Sequence, residues 1–493
     1  MNTLRIGSAL VLLFLAGFNT LPAQAIEPAP NIVWIIAEDM SPDLSCYGNK
    51  LVRTPHIDKL ASRGMRFTQA HVTAPACSPS RTSLATGVLQ TTLGAHHMRY
   101  PEQLKPNLLE GIKTLPELLQ GEGYNTGNVK NLRGLGSAKD DWQFKTSQPW
   151  DTKEWNKLTA KEPFFCQLNL GNTHRPFSKY ANSKVDESAI TLPPYYPDTS
   201  ILRQDWASYL NDIEKVDAQV GAILQAIEDK GISENTIVVF LSDHGRPMLR
   251  GKNWLYDSGT RVPLVIFIPK GLEQPKHYQA ASTSRQLISS IDLVAESARL
   301  AGVELPSWMQ GKTFLSEGSE PREYLFSAID RVGDIETCSR AIRSKKFKYI
   351  RNLKRPGSVV SCSTAYRRAN HPAYHVINLL NQRELLNLQQ KQLVTELSDE
   401  ELYDLENDPF ETRNLIGLAK YENVQSELQD KLDEWLKLSD DKGFLQDSEE
   451  LKRHFLAYGK STHKAQQSGI NRMETRVKRA LESRKKNPAL NTR

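Results

Sequence analysis

Three apolar runs, each stopping abruptly at polar residues, constrain this chain more than any other feature. NIVWIIAEDM (31–40) is rich in β-branched residues and ends in the adjacent carboxylates Glu38 and Asp39. PFFCQLNLGNTHRP (163–176) and NTIVVFLSDHG (235–245) repeat the plan, ending at His174 and at the pair Asp243 and His244. A strand that is apolar on both sides is buried between two layers, and in parallel sheets the C-terminal strand edge is where site residues collect. Between the second and third runs Trp206, Leu210, Ile213, Val216, Val220, Ile223 and Ile227 recur at helical spacing. A long amphipathic helix should therefore cover one face of the sheet. Alternating strand and helix predicts an α/β domain, with a central, mostly parallel sheet between helices and its site along one edge.

A fourth stretch, ACSPSRTSLATG (76–87), reads as a helix start. Ser78 can cap, Pro79 suits the first helical position, and Gly87 suits the stop. Cys77 then sits at the positive end of a helix, a place that attracts anions and activates sulfur or oxygen nucleophiles. Glu38 and Asp39 with Asp243 and His244 supply hard oxygen ligands and one imidazole, which suits Ca²⁺, Mg²⁺ or Mn²⁺ better than structural zinc.

At 493 residues the chain is long enough for two domains. VPLVIFIPKG (262–271) reads as a strand and SRQLISSIDLVAESARLAG (284–302) as a helix, after which the character changes. EYLFSAID, SRAIRSKKFKYIRNL and ELYDLENDPFETRNL predict short strands and turns, followed by the helix NVQSELQDKLDEWLKL. The expected division is a catalytic domain over 26–320, a smaller α+β domain over 321–440 and a basic helical tail over 441–493. The tail reads as a solvated helix, with docking on an anionic polymer as the alternative. The net charge of +6 comes with no zinc-finger spacing and no basic strand interleaved with aromatics, so nucleic acid is not an expected partner.

Arg5 precedes the apolar run IGSALVLLFLAGF, and AQA at 23–25 has the form of a cleavage site. The run is shorter than the roughly 20 residues of a membrane span, so residues 1–25 are expected to be a cleaved signal, with no stable membrane insertion and export to the periplasm or medium. Five cysteines (46, 77, 166, 338 and 362) leave at least one unpaired. A disulfide between Cys338 and Cys362 would close a hairpin-like basic stretch, and Cys166 reads as an inert core residue.

Taken together, these segments resemble the formylglycine-dependent sulfatases of the alkaline-phosphatase-like superfamily. CSPSR (77–81) matches the Cys-x-Pro-x-Arg signature of that family. PNIVWIIAEDM resembles its metal-binding opening strand, TPHIDKLASRGMRF the segment after it, LSDHG the second metal pair and ELYDLENDPFETRNL its C-terminal domain, in unbroken order over about residues 30–440. The resemblance implies an alkaline-phosphatase-like fold in which a formylglycine-generating enzyme oxidises Cys77 to an aldehyde whose hydrate is the nucleophile. It implies a divalent metal, calcium in the first place, held by Glu38, Asp39, Asp243, His244 and the modified residue 77. Arg81 would hold the nucleophile and metal carboxylates, Lys252 in RGKNWLY would bridge the sulfate and the leaving oxygen, and His174 in NTHRP would contact the sulfate or move a proton. A further family lysine, followed two residues later by histidine, maps to Lys139 with Asp141 at that offset, Lys130 being the alternative.

Two positions depart from the pattern. Glu38 replaces the commoner aspartate and His244 the commoner asparagine; the imidazole tilts the site toward Mn²⁺ or a mixed preference. AEDMSPDLSCYGN, GAHHMR and SDHGRPMLRGKNWLY are most similar to sulfamidase-like and bacterial polysaccharide sulfatases. The expected substrate is a sulfated polysaccharide or its oligosaccharides, an algal glycan such as ulvan or carrageenan or a glycosaminoglycan, with His96, His97 and Arg99 lining a sugar subsite. An N-sulfoglucosamine-type sulfamidase, a phosphonate or phosphodiester hydrolase with the same site, and a glycan-binding protein derived from such an enzyme are the alternatives.

Overall fold

The computed structural model describes residues 29–147, 149–178, 185–354 and 357–483. The expected signal segment lies outside the described residues. Thirteen strands are described. β1 (Asn31–Ala37), β2 (Met65–His71), β3 (Asn125–Asn128), β6 (Phe164–Leu170), β7 (Thr236–Ser242), β8 (Arg261–Phe267) and β9 (Ser282–Ser289) make a seven-stranded sheet in the order β3-β6-β1-β7-β8-β2-β9. β1 pairs in parallel with both β6 and β7, and β3 with β6; β8 alone runs antiparallel to its neighbours. β4 (Lys130–Leu132) and β5 (Leu135–Ser137) form a small hairpin beside it.

All seven residues of β1, β6 and β7 are buried, as continuous apolar runs require. Val33, Ile35 and Ala37 face a layer built on α1 (Pro55–Arg63) and α5 (Ser200–Asp229), whose Ile213, Val216, Val220 and Ile223 carry the predicted apolar stripe. Ile32, Trp34 and Ile36 face α2 (Cys77–Thr86), α3 (Leu115–Gly121) and α7 (Ser290–Leu300) through Leu84, Leu115, Leu119, Leu293 and Val294. The helices α4 (Trp155–Leu158) and α6 (Asp257–Thr260) are single turns.

The stretch 284–302 is not helical throughout. Residues 284–289 belong to β9, which pairs in parallel with β2, and the helix starts only after a capping box between Ser289 and Asp292. Exposure alternates along β9 up to Gln286, a period of two that the adjoining helical pattern hides. A second sheet, antiparallel, follows as β10 (Leu325–Ile329), β11 (Cys338–Arg343), β12 (Phe347–Lys354) and β13 (Glu400–Asp404), with α11 (Glu422–Leu438) packed on it. Between β12 and β13 the chain inserts α8 (Ala365–Asn370), α9 (Pro372–Gln382) and α10 (Leu388–Lys391), and the last element among the described residues is α12 (Glu449–Ser483).

All five cysteines are free, so the Cys338–Cys362 disulfide does not form. Cys338 lies buried in β11 with its thiol toward the Gly443 carbonyl, whereas Cys362 follows a turn closed by Ser358 and Ser361. Cys166 is fully buried in β6 and burial pushes its thiol pKa up, consistent with an inert core role.

Arg340 of β11 is fully buried and joins the small sheet to the segment after α11, with Nε 2.6 Å from Asp441 and Nη1 3.1 Å from Asp330. Truncating one partner of such a network leaves buried charge uncompensated, at a cost of about 3–5 kcal/mol. Arg340→Ala is therefore expected to lower the urea midpoint of unfolding markedly; an unchanged midpoint would show the network to be dispensable.

Candidate active site

The in-register pairing of β1 with β6 and β7 places Ala37 beside Leu170 and Ser242, so the residues after each strand emerge together at one edge. Glu38 and Asp39 follow β1, His174 follows β6, and Asp243 and His244 follow β7. Asp39 turns back with φ 51°, a region aspartate tolerates, and its backbone N–H donates to Asp243 Oδ1 at 2.9 Å.

Cys77 is the first residue of α2, and the N-cap position is Ala76, not Ser78. Ser78 instead receives a hydrogen bond from Arg99 Nε at 3.3 Å. Every residue of α2 is buried, so the sulfur at its N-terminus is fixed by the surrounding layers. Gly87 ends the helix as expected, at φ 73°, where a Cβ would lie 3.2–3.3 Å from Met309 and Val294.

Cys77 Sγ lies 3.2 Å from His244 Nε2, 3.7 Å from Asp39 Oδ1 and 3.0 Å from Lys252 Nζ. The Lys252 ammonium donates to both oxygens of Asp39 at 2.8 Å. Arg81, one turn along α2 from Cys77, places Nε 3.1 Å from Asp243 Oδ2, Nη1 2.5 Å from Asn169 Oδ1 and Nη2 3.8 Å from Glu38. Ligand atoms of Asp39, Cys77, Asp243 and His244 all lie within 4.8 Å of one another, as do those of Glu38, Asp39 and His174.

Burial alone would raise the Asp39 carboxyl, but Lys252, His244 and His174 hold it well below its usual range. For Asp243 burial is likewise outweighed by His244 and Arg81, which bring it to about 2. Burial disfavours charge on His244, yet Asp243 and Asp39 raise it to about 10. The pocket thus keeps ionised carboxylates and draws positive charge onto whatever stands between them. Three carboxylates and an imidazole are a donor set that fits a hard dication, and a metal would compete with the His244 proton because only neutral imidazole ligates.

Of the two lysines, Lys139 reaches the site, with Nζ 3.1 Å from Glu38 and 3.8 Å from Asp141. Lys130 is exposed on β4. Asp141, where the resemblance would place a histidine, is gripped by Arg99 through two bonds of 2.9 and 2.8 Å, so a guanidinium is brought in by a carboxylate. Arg99 is half exposed and lies at the mouth. His97 does not: it is buried, bonded through Nε2 to Asp447 Oδ1 at 2.7 Å and stacked on Tyr100. His96 is buried beside it, edge-on to its ring.

Sequence reasoning missed Asn169 and Asn128, which bond each other at 3.0 Å and position Arg81. Asn169 left a signal as an amide inside the apolar run of β6; Asn128, in the polar strand NTGN, left none. Tyr366 of α8 was also missed; its ring lies 6.4 Å from that of His174 and its hydroxyl donates to the Arg175 carbonyl at 2.6 Å. Nothing in its local sequence points to a site.

A family model described as Sulfatase matches residues 30–303. The chain belongs to the sulfatase family. It is a sulfuric ester hydrolase. An ulvan-active sulfatase from Formosa agariphila is 32% identical over 473 residues, covering 85% of this chain and 77% of the relative. Human N-sulphoglucosamine sulphohydrolase is 24% identical over 465 residues, covering 82% and 89%. The solved structure of a 2-O GAG sulfatase aligns with a TM-score of 0.63 at 20% identity, over 85% of this chain and 94% of the other, and shows the alkaline-phosphatase-like fold. Sulfatases generally use a formylglycine and a divalent metal, and the four-residue cluster around Cys77 is the candidate place for both here.

If Lys139 is the sulfate-side lysine of this sulfatase, Lys139→Ala should lower sulfate-ester turnover by about 100-fold, the usual scale for losing a charged stabilising group. Lys130→Ala should leave turnover unchanged. Steady-state assays of both variants check this, and equal effects would count against Lys139.

Proposed function

We propose that this sulfatase is exported to the periplasm or medium and hydrolyses sulfate esters of a sulfated polysaccharide or its oligosaccharides. The observation that carries the reading is the convergence of Cys77, at a helix N-terminus, with Asp39, Asp243 and His244 on one buried point, which Glu38 and His174 adjoin through Asp39. The ulvan-active relative supports a sulfated glycan, ulvan in the first place, with carrageenan and glycosaminoglycans in the same class. The N-sulphoglucosamine sulphohydrolase relative supports an N-sulfated sugar as the second reading. Among the described residues no helix is long and apolar enough to cross a membrane.

Matured to formylglycine by a dedicated enzyme, residue 77 supplies an aldehyde hydrate, a nucleophile with a second hydroxyl through which sulfate can be released. A divalent metal, calcium first with Mn²⁺ or Mg²⁺ as alternatives, would be held by Glu38, Asp39, Asp243 and His244, with residue 77 completing the set; it would supply positive charge beside the sulfuryl oxygens.

The remaining work falls to fixed side chains. Arg81 holds Asp243 and Glu38 in place through a charged pair on each and helps keep Asp243 ionised. Lys252, 3.0 Å from the sulfur of residue 77, is placed to hold negative charge that develops on the leaving oxygen. His174 has its Nδ1 turned to the Arg175 carbonyl at 2.6 Å, which leaves Nε2 as the nitrogen for proton transfer. Lys139 offers a second cation at the other carboxylate oxygen of Glu38 from Arg81, and the half-exposed Arg99 is placed to contact the sugar.

Protein produced with the maturation enzyme should give a Cys77 peptide lighter by the difference between a thiol and an aldehyde, measured by mass spectrometry. Cys77→Ala should retain its fold by circular dichroism and lose sulfate release from ulvan oligosaccharides. A chelator should remove activity and added Ca²⁺ or Mn²⁺ should restore it. A retained thiol in active protein, or faster turnover of a phosphodiester than of a sulfate ester, would refute the assignment.

A further inference from the structure

The basic tail expected over 441–493 is described as far as residue 483, and this part does not extend into solvent. α12 lies along α8, where Ile470 packs on Ala365 and Ala369. Gly469 allows the close approach, since a Cβ there would meet that of Ala369 at 3.0 Å. Farther along the chain, Val477 and Leu481 join the cluster that contains β1 and α5. At the start of the helix Phe455 buries against Tyr100, and the preceding Asp447 ties His97 and Arg331 together. Clamped at both ends, α12 holds α8 against the site.

Two tyrosines result. Tyr366 of α8 is half-buried with its ring 6.4 Å from that of His174, and the next residue, Arg367, donates to the Lys252 carbonyl at 2.8 Å. Tyr458 of α12 is 49% exposed and lies over the turn at Gly333, where a Cβ would be 3.4 Å from its ring. The Gly333 amide donates to the Met98 carbonyl at 2.7 Å, next to Arg99, and the same Cβ would lie 3.7 Å from Thr364 at the start of α8, so the turn under Tyr458 adjoins both Arg99 and the helix that carries Tyr366. Tyr366 beside His174, and Tyr458 over the turn that adjoins Arg99, are thus rings that the insertion between β12 and β13 and the C-terminal helix bring to the exposed side of the site. The apolar face of a sugar ring stacks on such rings while its hydroxyls remain available for hydrogen bonds.

We propose that Tyr366 and Tyr458 form the carbohydrate subsite of this enzyme, Tyr366 against the sugar that bears the scissile sulfate and Tyr458 against the next residue of the chain. This rests on the sulfated-glycan reading and deepens it by assigning recognition to α8 and α12. Both are specificity-determining residues with no part in bond breaking, so a substrate without a sugar should not need them.

The test compares the matured protein with Tyr458→Ala and Tyr366→Phe variants on two substrates, nitrophenyl sulfate and ulvan oligosaccharides. Oligosaccharide binding to Cys77→Ala protein, with and without Tyr458→Ala, is measured in parallel by calorimetry. Tyr458→Ala is expected to lower kcat/KM on the oligosaccharide and weaken its binding by about tenfold, the scale of one lost ring contact, while leaving nitrophenyl sulfate turnover unchanged. Tyr366→Phe, which keeps the ring, should retain most oligosaccharide turnover. Equal losses on both substrates, no loss on either, or no oligosaccharide binding by the Cys77→Ala protein would overturn the proposal. If oligosaccharide binds in a Tyr458-dependent way but no sulfate is released, the subsite stands and the hydrolytic reading fails.

Discussion

Three carboxylates buried at a single sheet edge are the constraint on which the rest of this structure depends. Glu38, Asp39 and Asp243 are almost fully withdrawn from water, where isolated charges of like sign would neutralise by taking up protons. Each has a compensating charge at hand: Arg81, Lys139 and Lys252 each sit within 3.1 Å of at least one of them, and His244 stands between Asp39 and Asp243, whose carboxyls are held ionised. The arrangement is useful because it is electrostatically unfinished in two directions. Carboxylates face inward to a place suited to a cation, while the cations behind and beside them present their positive ends to an incoming sulfate. A site with carboxylates alone would repel that anion, and one with cations alone would hold no metal.

The fold makes this juxtaposition through register. β1, β6 and β7 are parallel and level, so three chain segments separated by more than sixty residues leave the sheet side by side. α2 approaches from the opposite layer and brings Cys77 and Arg81 on successive turns, one toward the reacting point and the other toward the carboxylates. Asn169 and Asn128 extend the same logic outward, because a guanidinium aimed at two carboxylates needs its remaining N–H groups fixed as well.

The strand ends were legible because burial on both faces leaves an unmistakable apolar run, and its termination marks where the chain reaches the edge. Cys77, Arg81 and Lys252 were legible through family resemblance, since nothing in their spacing alone brings them within bonding distance of Asp39. β9 was obscured because its alternation adjoins a helix with no breaking residue between them, and only pairing with β2 decides the period. His97 illustrates a deeper limit. Its nearness in sequence to the nucleophile helix suggested a sugar contact, but Asp447, 350 residues away, takes its Nε2 and turns the ring inward. A long-range partner of this kind leaves no local trace, and the same holds for Tyr366.

The distribution of elements follows from these different demands. Chemistry that must place several charges to within a fraction of an ångström is built on buried strands and a buried helix, where packing leaves side chains little freedom. Recognition of a varied polymer tolerates looser placement and gains from surfaces that can change without disturbing the charges beneath. α8 and α12 satisfy that condition, because they touch the catalytic layer mainly through apolar contacts and a few backbone carbonyls, as in the Tyr366 bond to Arg175 and the Arg367 bond to the Lys252 carbonyl at 2.8 Å. Backbone acceptors are the same whatever residue carries them. A C-terminal helix anchored in this way can acquire new rings and charges along its outer face while Lys252 and the carboxylates keep their positions.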